Sequence, residues 1–247
     1  MQIEEFALGN SLIHRLDPRV KIIVTFVFSV VVALTSSINT AAMALVLPLA
    51  LVVAARINLA RVIRRVAVVN TFVLFLCLFL PFTYPGRIIY SIGPLDVHME
   101  GLIYAALIAL KSNAVILMVI ALLGTSSVFS LVHALSRMGV SDKLVHLFFF
   151  CFRYIHVIHE EYHRLSNAMR IRGFKARTNL HTYRSYAYLM GMLLVRSFDR
   201  SGRIFAAMKC RAFKGRFYML HDYRLKSSDY VLAASSVLFS CCLLIVR

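Results

Sequence analysis

Long apolar runs, separated by short polar segments, dominate the hydropathy pattern of the chain. Five of them approach the length of about 20 residues that an α-helix needs to cross the hydrocarbon core of a bilayer. We therefore predict five membrane-spanning helices, at Val20–Ser37, Ile38–Ala55, Val66–Phe82, Leu102–Leu123 and Tyr230–Val246. Asp17 is suited to cap the first of these helices and Pro18 to begin it. Pro48 predicts a kink in the second helix, and Pro81 the end of the third.

The stretch between the fourth and fifth runs follows a different pattern. Its central part repeats apolar residues at alternating steps of four and three, which is typical of one face of an amphipathic helix. These residues form an apolar seam of Leu144, Phe148, Cys151, Ile155, Ile158, Tyr162, Leu165 and Met169. The Phe-rich segment Leu144–Ile158 is interpreted as part of this helix and not as a sixth span, since it contains Arg153 and the seam continues beyond it. Ser141 is a suitable cap for the helix and Gly173 a suitable end.

Two further amphipathic helices are predicted on either side of this long one. The first is Val128–Met138, capped by Ser127 and ended by Gly139, and the second runs from about Thr182 to Arg211. We expect the apolar faces of these helices to pack on one another and against the inner ends of the spans. The predicted fold class is all-α, a polytopic membrane protein with about five transmembrane helices and three cytoplasmic amphipathic helices.

Composition and charge support this assignment and orient the chain. Of the 247 residues, 60% are hydrophobic and 16% charged, which exceeds what a soluble domain of this size can bury. The net charge of +17 comes from Lys and Arg clustered between apolar runs, which favours positive-inside topology over nucleic-acid binding. The loop between the second and third spans, and with it the N-terminus, is predicted to be cytoplasmic because it contains Arg56, Arg61, Arg64 and Arg65. The resulting domains are residues 1–123 with four spans, residues 124–227 in the cytoplasm, and residues 228–247 with the last span.

One short motif occurs twice in the cytoplasmic region, 39 residues apart. Residues 164–174 read RLSNAMRIRGF and residues 203–213 read RIFAAMKCRAF. In the first copy Arg164, Ala168 and Arg172 have the spacing i, i+4 and i+8, so they share one face of a helix, and the second copy repeats this spacing. Two helices thus carry matching arginines, which indicates docking onto a partner with two equivalent binding sites.

The sequence resembles the T components of energy-coupling factor transporters, most closely the cobalt-type CbiQ branch. The resemblance covers nearly the whole chain and rests on Leu16-Asp17-Pro18-Arg19-Val20-Lys21, Met138-Gly139-Val140, Arg153-Tyr154-Ile155 with Glu160-Glu161, both Ala-Met-x-x-Arg motifs, and the stretch from Thr182 to Ser197. It implies a scaffold without catalytic activity in a prokaryotic cell membrane, which links two cytoplasmic ABC-type ATPase subunits to a membrane-embedded substrate-binding subunit. It further implies that ATP is bound by the partners, that this chain holds no cofactor, and that the transported substrate is cobalt or a related transition metal ion.

The resemblance also implies which residues couple the ATPases, since in this family the x-Arg-Gly tips of two coupling helices sit in grooves of the ATPases. Carried over by motif, the contacts are Ile171, Arg172, Gly173, Cys210, Arg211 and Ala212. Ala168 and Ala207, four residues before each arginine, leave space for close approach, and Phe174 and Phe213 offer apolar anchors. Because Ala212 stands where glycine is usual, we expect the helix to stop less easily there and Gly215 to serve instead.

An enzymatic alternative comes from the segment His159-Glu160-Glu161-Tyr162-His163, which satisfies the H-E-x-x-H pattern of zinc metalloproteases. Two histidines one helical turn apart could hold zinc while Glu160 activates water. No third ligand is clear, because His156 shares the face but lies on the same helix, and three other residues are no more than possible ligands: His181, Asp199 and Asp222. No metal site and no catalytic residue are therefore assigned.

The sequence also indicates the source of energy for transport and contains two polar residues within a predicted span. The chain lacks a G-x-x-x-x-G-K-[ST] phosphate-binding loop, so its energy must come from another protein. Lys111 and Asn113 lie inside the fourth predicted span, where polar groups are costly in lipid. They face either a substrate-binding subunit or a neighbouring helix of this chain, and the sequence leaves both interpretations open.

Overall fold

The computed structural model describes residue 9 and residues 11–83, 88–92, 95–213 and 227–245, nearly all of them helical. They fall into two compact units. The first comprises Met1–Met138 and Asp222–Arg247, and the second Gly139–His221. In chain order the described helices are α1 (Pro18–Leu34), α2 (Ile38–Ala44), α3 (Val46–Ala54), α4 (Leu59–Thr83), α5 (Met99–Leu122), α6 (Val128–Arg137), α7 (Asp142–Ile171), α8 (Leu180–Cys210) and α9 (Ser227–Ile245).

The predicted signals at the start of α1 are confirmed. The Asp17 carboxylate accepts a hydrogen bond of 2.9 Å from the backbone N–H of Arg19, and Pro18 occupies the first helical position. The predicted kink at Pro48 is a break between α2 and α3 at Leu45. Proline has no N–H to donate to the carbonyl four residues earlier, at Ala44, so the helical hydrogen bonding is interrupted there.

The segment around α4 differs from the sequence prediction. This helix begins at Leu59, so Arg61, Arg64 and Arg65 lie in its first two turns and not in a loop. Pro81 lies within its last turn, and the helix ends at Thr83. Beyond it, strands β1 (Ile88–Ile92) and β2 (Leu95–His98) form a short antiparallel hairpin that the sequence analysis missed.

Three of the described helices are long and apolar enough to cross a membrane. These candidate spans are Leu59–Pro81, Met99–Leu122 and Ser227–Leu244. Ile38–Ala54 is a shorter apolar segment, and α1 has 17 residues. The third, fourth and fifth predicted spans therefore have helices of membrane-spanning length, and the first two have shorter ones.

The core of the first unit is built around α5, which packs against α1, α2, α3 and α4. Phe28 of α1 and Met118 of α5 are fully buried in one apolar cluster, which also includes Leu243 of α9. A second cluster joins Val52 of α3 and Val62 of α4 to further residues of α5. Apolar side chains from four helices thus meet on the central one.

A buried polar junction ties the ends of three helices together in this unit. Lys21 of α1 is 0% exposed, and its ammonium group donates hydrogen bonds to the hydroxyls of Ser126 (2.8 Å) and Thr125 (3.3 Å), just after α5. The backbone N–H of Asp17 donates to the carboxylate of Asp229 at the start of α9, at 2.8 Å. Buried polar groups with such partners fix helix ends, because a buried lysine or carboxylate without one is costly.

Lys111 has a partner within the chain. Its ammonium group donates a hydrogen bond of 3.0 Å to the carbonyl oxygen of Ala33, near the end of α1. The Asn113 amide donates to the carbonyl of Ala109 one turn earlier, while its buried side-chain oxygen has no hydrogen-bond partner among the described residues. For Lys111, the interpretation as a contact between neighbouring helices is the one that the structure supports.

The second unit consists of the two long helices α7 and α8. Ser141 precedes α7 as predicted, although its side chain makes no capping hydrogen bond, and α8 is capped by Asn179, which accepts from the N–H of Thr182. The seam of α7 does not pack as expected along its first half, since four of its apolar members are 45–54% exposed: Leu144, Phe148, Ile155 and Ile158. The described helices leave this part of the apolar face uncovered.

Candidate partner-docking tips of the α7–α8 hairpin

Helices α7 and α8 form an antiparallel hairpin, as three contacts along its length demonstrate. The rings of His146, near the start of α7, and Phe213, just after α8, lie 6.4 Å apart. In the middle, Glu161 of α7 is bonded to Arg196 of α8. At the other end, the ring of Phe174 lies 5.7 Å from that of Tyr186. The C-terminal ends of the two helices therefore lie at opposite ends of the hairpin.

The first tip is the C-terminus of α7, where Arg172 is the capping residue and Gly173 has a positive φ of 81°. The N–H of Gly173 donates to the carbonyl of Arg170 at 3.0 Å, and the N–H of Phe174 donates to that of Met169 at 3.1 Å. This pair of hydrogen bonds is the Schellman motif, which satisfies the last carbonyls of a helix. The prediction that the helix ends at Gly173 is confirmed.

The second tip repeats this geometry with alanine in place of glycine. Arg211 caps α8, and Ala212 has a φ of 57°. The N–H of Ala212 donates to the carbonyl of Lys209 at 3.0 Å, and that of Phe213 to the carbonyl of Met208 at 3.1 Å. The sequence predicts that the helix stops less easily here and that Gly215 ends it instead, but α8 ends before Ala212. The two capping hydrogen bonds offset the cost of about 1–2 kcal/mol for a side chain in the left-handed region. Gly215 lies outside the described residues.

The eight predicted coupling residues are all exposed. They form two groups, one at each tip: Ala168, Ile171, Arg172 and Gly173, and Ala207, Cys210, Arg211 and Ala212. Phe174 and Phe213 are half-buried instead, because each folds back onto the hairpin, against Tyr186 and His146 respectively. The phenylalanines hold the ends of the hairpin, and the arginines remain accessible.

The spacing of the tips follows from the position of the central contact. Arg172 comes eleven residues after Glu161, and Arg211 eleven residues after Arg200, which also contacts Glu161. At a rise of 1.5 Å per residue, each tip lies about 16 Å from this contact, so the two arginines are about 33 Å apart along the hairpin. The structure does not bring the tips or their arginines together, but places them at opposite ends of the hairpin.

Glu161 is the centre of a charge cluster that the sequence analysis did not assign. Its carboxylate accepts a hydrogen bond from Arg196 and lies 3.6 Å from Arg200 and 3.8 Å from Arg164. The hydrogen bond from Arg196 is the largest cause that lowers the pKa of Glu161; burial opposes the shift, and the three positive charges add to it. The sequence held one signal for this contact, since Glu161 and Arg200 each lie three residues before a copy of the repeat and so share its spacing of 39 residues.

A cavity of about 630 Å³ lies between α7 and α8 beside this cluster. Its lining is mainly apolar and includes Phe150, Tyr154, Phe198 and Phe205, with Glu161 and two arginines at its edge. The helices are therefore not closely packed next to the charge cluster. Fewer apolar contacts fix their relative position here than in a filled core.

The structure gives the zinc-protease pattern no further support. The Nε2 atoms of His159 and His163 lie 3.0 Å apart on the exposed face of α7. Glu160 forms an ion pair with Arg164 of the next helical turn, with 3.9 Å between their charged atoms, as residues at spacing i and i+4 commonly do. Among the described residues, no group of three or more His, Cys, Asp or Glu side chains could hold a metal ion.

Comparison with known proteins agrees with the repeat and the apolar helices. The model of the CbiQ family, described as cobalt transport protein, matches residues 9–219 of the chain. The chain belongs to the CbiQ family. The match includes both tips and the α7–α8 hairpin.

Relatives of this CbiQ-family protein carry the name energy-coupling factor transporter transmembrane protein EcfT. The protein from Thermosediminibacter oceani is 31% identical, and the alignment covers 94% of this chain and 91% of the relative. The proteins from Bacillus subtilis (26% identical; 87% and 85% covered) and Leuconostoc gelidum (29%; 87% and 84%) are similar over almost the same extent. The predicted resemblance is confirmed: the chain is a T component of an energy-coupling factor transporter, a membrane protein.

Proposed function

We propose that this CbiQ-family protein is the coupling scaffold of an ATP-driven importer. Two cytoplasmic ABC-type ATPase subunits dock on the tips at Arg172 and Arg211, and a membrane-embedded subunit binds the substrate. The observation that carries the proposal is the pair of equivalent tips, each ending in an exposed arginine beside a residue with positive φ. One such end is common on a protein surface, whereas two matched ends on one hairpin suit a partner with two equivalent grooves.

The chemistry of the tips supports protein docking. A guanidinium group offers five donors in a planar fork, which can bind carboxylates or the carbonyls at the end of a partner helix. Ala168 and Ala207 lie one turn before each arginine and are exposed, so a partner can approach the helix backbone closely. Removal of one member of a buried charge pair costs about 2–5 kcal/mol, mostly because the other member is left unpaired.

The hairpin can transmit motion, whereas energy has to come from the partners. A continuous helix is stiff, so displacement of a tip by an ATPase moves the whole of α7 or α8. The sequence contains no phosphate-binding loop, and the proposed role requires no catalytic residue and no cofactor in this chain. ATP is bound and hydrolysed by the partner subunits.

The proposed topology has five spans and three cytoplasmic coupling helices, with the N-terminus in the cytoplasm. Residues 1–123 and 228–247 form the membrane part, and residues 124–227 the coupling region. The proposed substrate is cobalt or a related transition metal ion, in line with the description of the family whose model matches. A comparison of cobalt uptake with nickel uptake, in cells that express the complete transporter, would test this choice.

The docking proposal is tested by affinity purification in mild detergent with Arg172→Glu and Arg211→Glu combined. We expect the wild-type chain to retain both ATPases and to hydrolyse ATP, and the double variant to lose both. Arg170→Glu with Lys209→Glu is the matched control, because these residues are exposed, 39 residues apart and adjacent to the tips. If the Arg172/Arg211 variant retained its ATPases and imported its ion at the normal rate, the proposal would be wrong.

A further inference from the structure

Glu161 joins the two helices of the hairpin at their central contact. Glu161 is 8% exposed, whereas the other described residues of α7 are half-buried or exposed. Arg164 comes from its own helix, and Arg196 and Arg200 come from the facing one. A single carboxylate thus holds three guanidinium groups across the helix pair.

Other buried contacts within the hairpin are few. In α8 the buried residues are Thr182, Leu189 and Leu193, which all precede Arg196 in the chain. Beyond this point toward the second tip, the 630 Å³ cavity separates the helices where apolar side chains would otherwise interlock. In a well-packed core, apolar contacts fix the angle at which two helices cross, and an ion pair adds little. Here apolar contacts are few, so the charge cluster contributes more to fixing this angle.

The geometry of the hairpin makes the tips sensitive to this crossing. Each docking arginine lies about 16 Å along its helix from the cluster. A rotation of about 10° between the helices therefore moves a tip by about 3 Å, which is several times the tolerance of about 0.5 Å for a preorganised site.

We propose that Glu161 is a positioning residue that fixes the crossing of α7 and α8, and through it the spacing of Arg172 and Arg211. This inference rests on the proposed function, because the spacing matters only if two ATPases use the tips together. Glu161 is not assigned a contact with the ATPases or with the substrate. Its loss should leave each tip able to dock but should impair the transfer of motion from one tip to the other.

The test uses the complete transporter in proteoliposomes with Glu161→Gln, which removes the charge and keeps the shape. We expect both ATPases to remain bound, and the number of ions imported per ATP hydrolysed to fall about fivefold or more, the lower range of typical coupling between sites. Glu160→Gln is the matched control, because Glu160 is the adjacent carboxylate, is exposed and faces Arg164 alone among the described ion pairs. This control should behave as the wild type does.

A distance measurement provides a readout independent of transport. Spin-labelled amino acids at Asn167 and Ala206, which are exposed and occupy equivalent positions of the repeat, report the spacing of the two arms. We expect one narrow distance distribution in the wild type and in Glu160→Gln, and a broader one in Glu161→Gln. The double variant Glu161→Arg with Arg196→Glu keeps one carboxylate among three guanidinium groups, so it should restore both the distribution and the coupling.

The outcomes separate this inference from the proposed function. A wild-type complex without ATPases would overturn the proposed function. Unchanged coupling and unchanged distances in Glu161→Gln would overturn the role of Glu161 alone. If Glu161→Gln failed to assemble, recovery in the double variant would support the role and failure of the double variant would contradict it.

Discussion

Three charged residues of the first unit are buried, Asp17, Lys21 and Asp229, whereas Glu161 is the one buried charged residue among the described residues of the second unit. In the first, Lys21 is fully enclosed and bonded to Thr125 and Ser126, and apolar clusters surround α5. In the second, the two helices meet at one charge cluster, and large apolar side chains stay uncovered, among them Phe198 at 79% exposure. The arginines at its tips are exposed as well.

This difference separates a part that carries its own core from a part that does not. Apolar surface in the first unit that its core leaves exposed, notably on α4, suits contact with lipid. Exposed apolar surface on the amphipathic hairpin instead suits contact with partner proteins, as the proposed function requires. Substitutions in the first unit should therefore change stability, and those in the second should change association.

The largest expected effect is the loss of the buried lysine in the first unit. Lys21→Ala should lower the free energy of unfolding by about 3–5 kcal/mol, because it removes the positive charge that stabilises the buried carboxylates of Asp17 and Asp229. Unfolding of the purified protein in detergent measures this change. Lys111→Ala is the control, since that lysine gives one hydrogen bond to the carbonyl of Ala33, and its loss should cost about 1 kcal/mol. Equal losses in the two variants would contradict the role of the junction.

At a tip of the hairpin we expect a somewhat smaller effect, on the affinity for the ATPases and not on the free energy of unfolding. Arg172→Ala should weaken ATPase binding by about 2–3 kcal/mol, or roughly 30- to 150-fold in Kd. Its free energy of unfolding should stay within about 0.5 kcal/mol of the wild type, as for other exposed positions. Titration of the purified scaffold with the ATPases measures the first quantity, and detergent unfolding the second. A large loss of stability together with normal ATPase binding would contradict the expectation that substitutions in the second unit change association and not stability.

The third effect concerns the two helix caps, which differ in one residue. Ala212→Gly should stabilise the end of α8 by about 1 kcal/mol and Gly173→Ala should destabilise the end of α7 by a similar amount, because both positions have positive φ. Hydrogen exchange of the amides in the last turn of each helix measures these changes. Ala206→Gly, within the exposed part of α8, is the control and should destabilise the helix by about 1 kcal/mol. Destabilisation by Ala212→Gly would contradict the equivalence of the caps.

The smallest effect is an acid sensitivity of the hairpin. Because the hydrogen bond from Arg196 lowers the pKa of Glu161 in the folded state, the carboxylate stabilises the hairpin above its ordinary pKa. This contribution is lost as the pH falls through the lowered pKa, when the carboxylate takes up a proton. Hydrogen exchange of α7 and α8 between neutral and acid pH should reveal the loss. Glu161→Gln should lack this part of the pH dependence, and an identical acid profile in both proteins would contradict it.

Local signals in the sequence predicted the features that depend on a few neighbouring residues. The cap at Asp17, the cap at Ser127 and the end of α7 at Gly173 are all confirmed, because each depends on hydrogen bonds within one helical turn. The break near Pro48 has the same local origin. In contrast, Arg61 did not mark a loop, since arginine is a good helix former and a charge alone does not end a helix.

Features that depend on distant residues were not predictable in this way. The contact of Asp17 with Asp229 joins positions 212 residues apart, and hydropathy periodicity holds no information about such pairs. The contacts of Glu161 were missed for a similar reason, because Arg196 and Arg200 lie on the next helix and the 39-residue spacing of Glu161 and Arg200 was the one signal for them. At position 212 the spacing of the repeat indicated a helix cap, whereas alanine disfavours the positive φ that this cap needs. The structure forms the cap, with two backbone hydrogen bonds that stabilise it.

The contact between Glu161 and Arg200 has a consequence for symmetry. Each of these residues lies three positions before its copy of the repeat, so the two are equivalent in position. In an antiparallel pair, equivalent positions face each other only where a two-fold rotation axis passes. The duplicated sequence is thus arranged like a small homodimer within a single polypeptide. Unlike the subunits of a true homodimer, its halves can diverge one residue at a time, as glycine and alanine already do at the two ends.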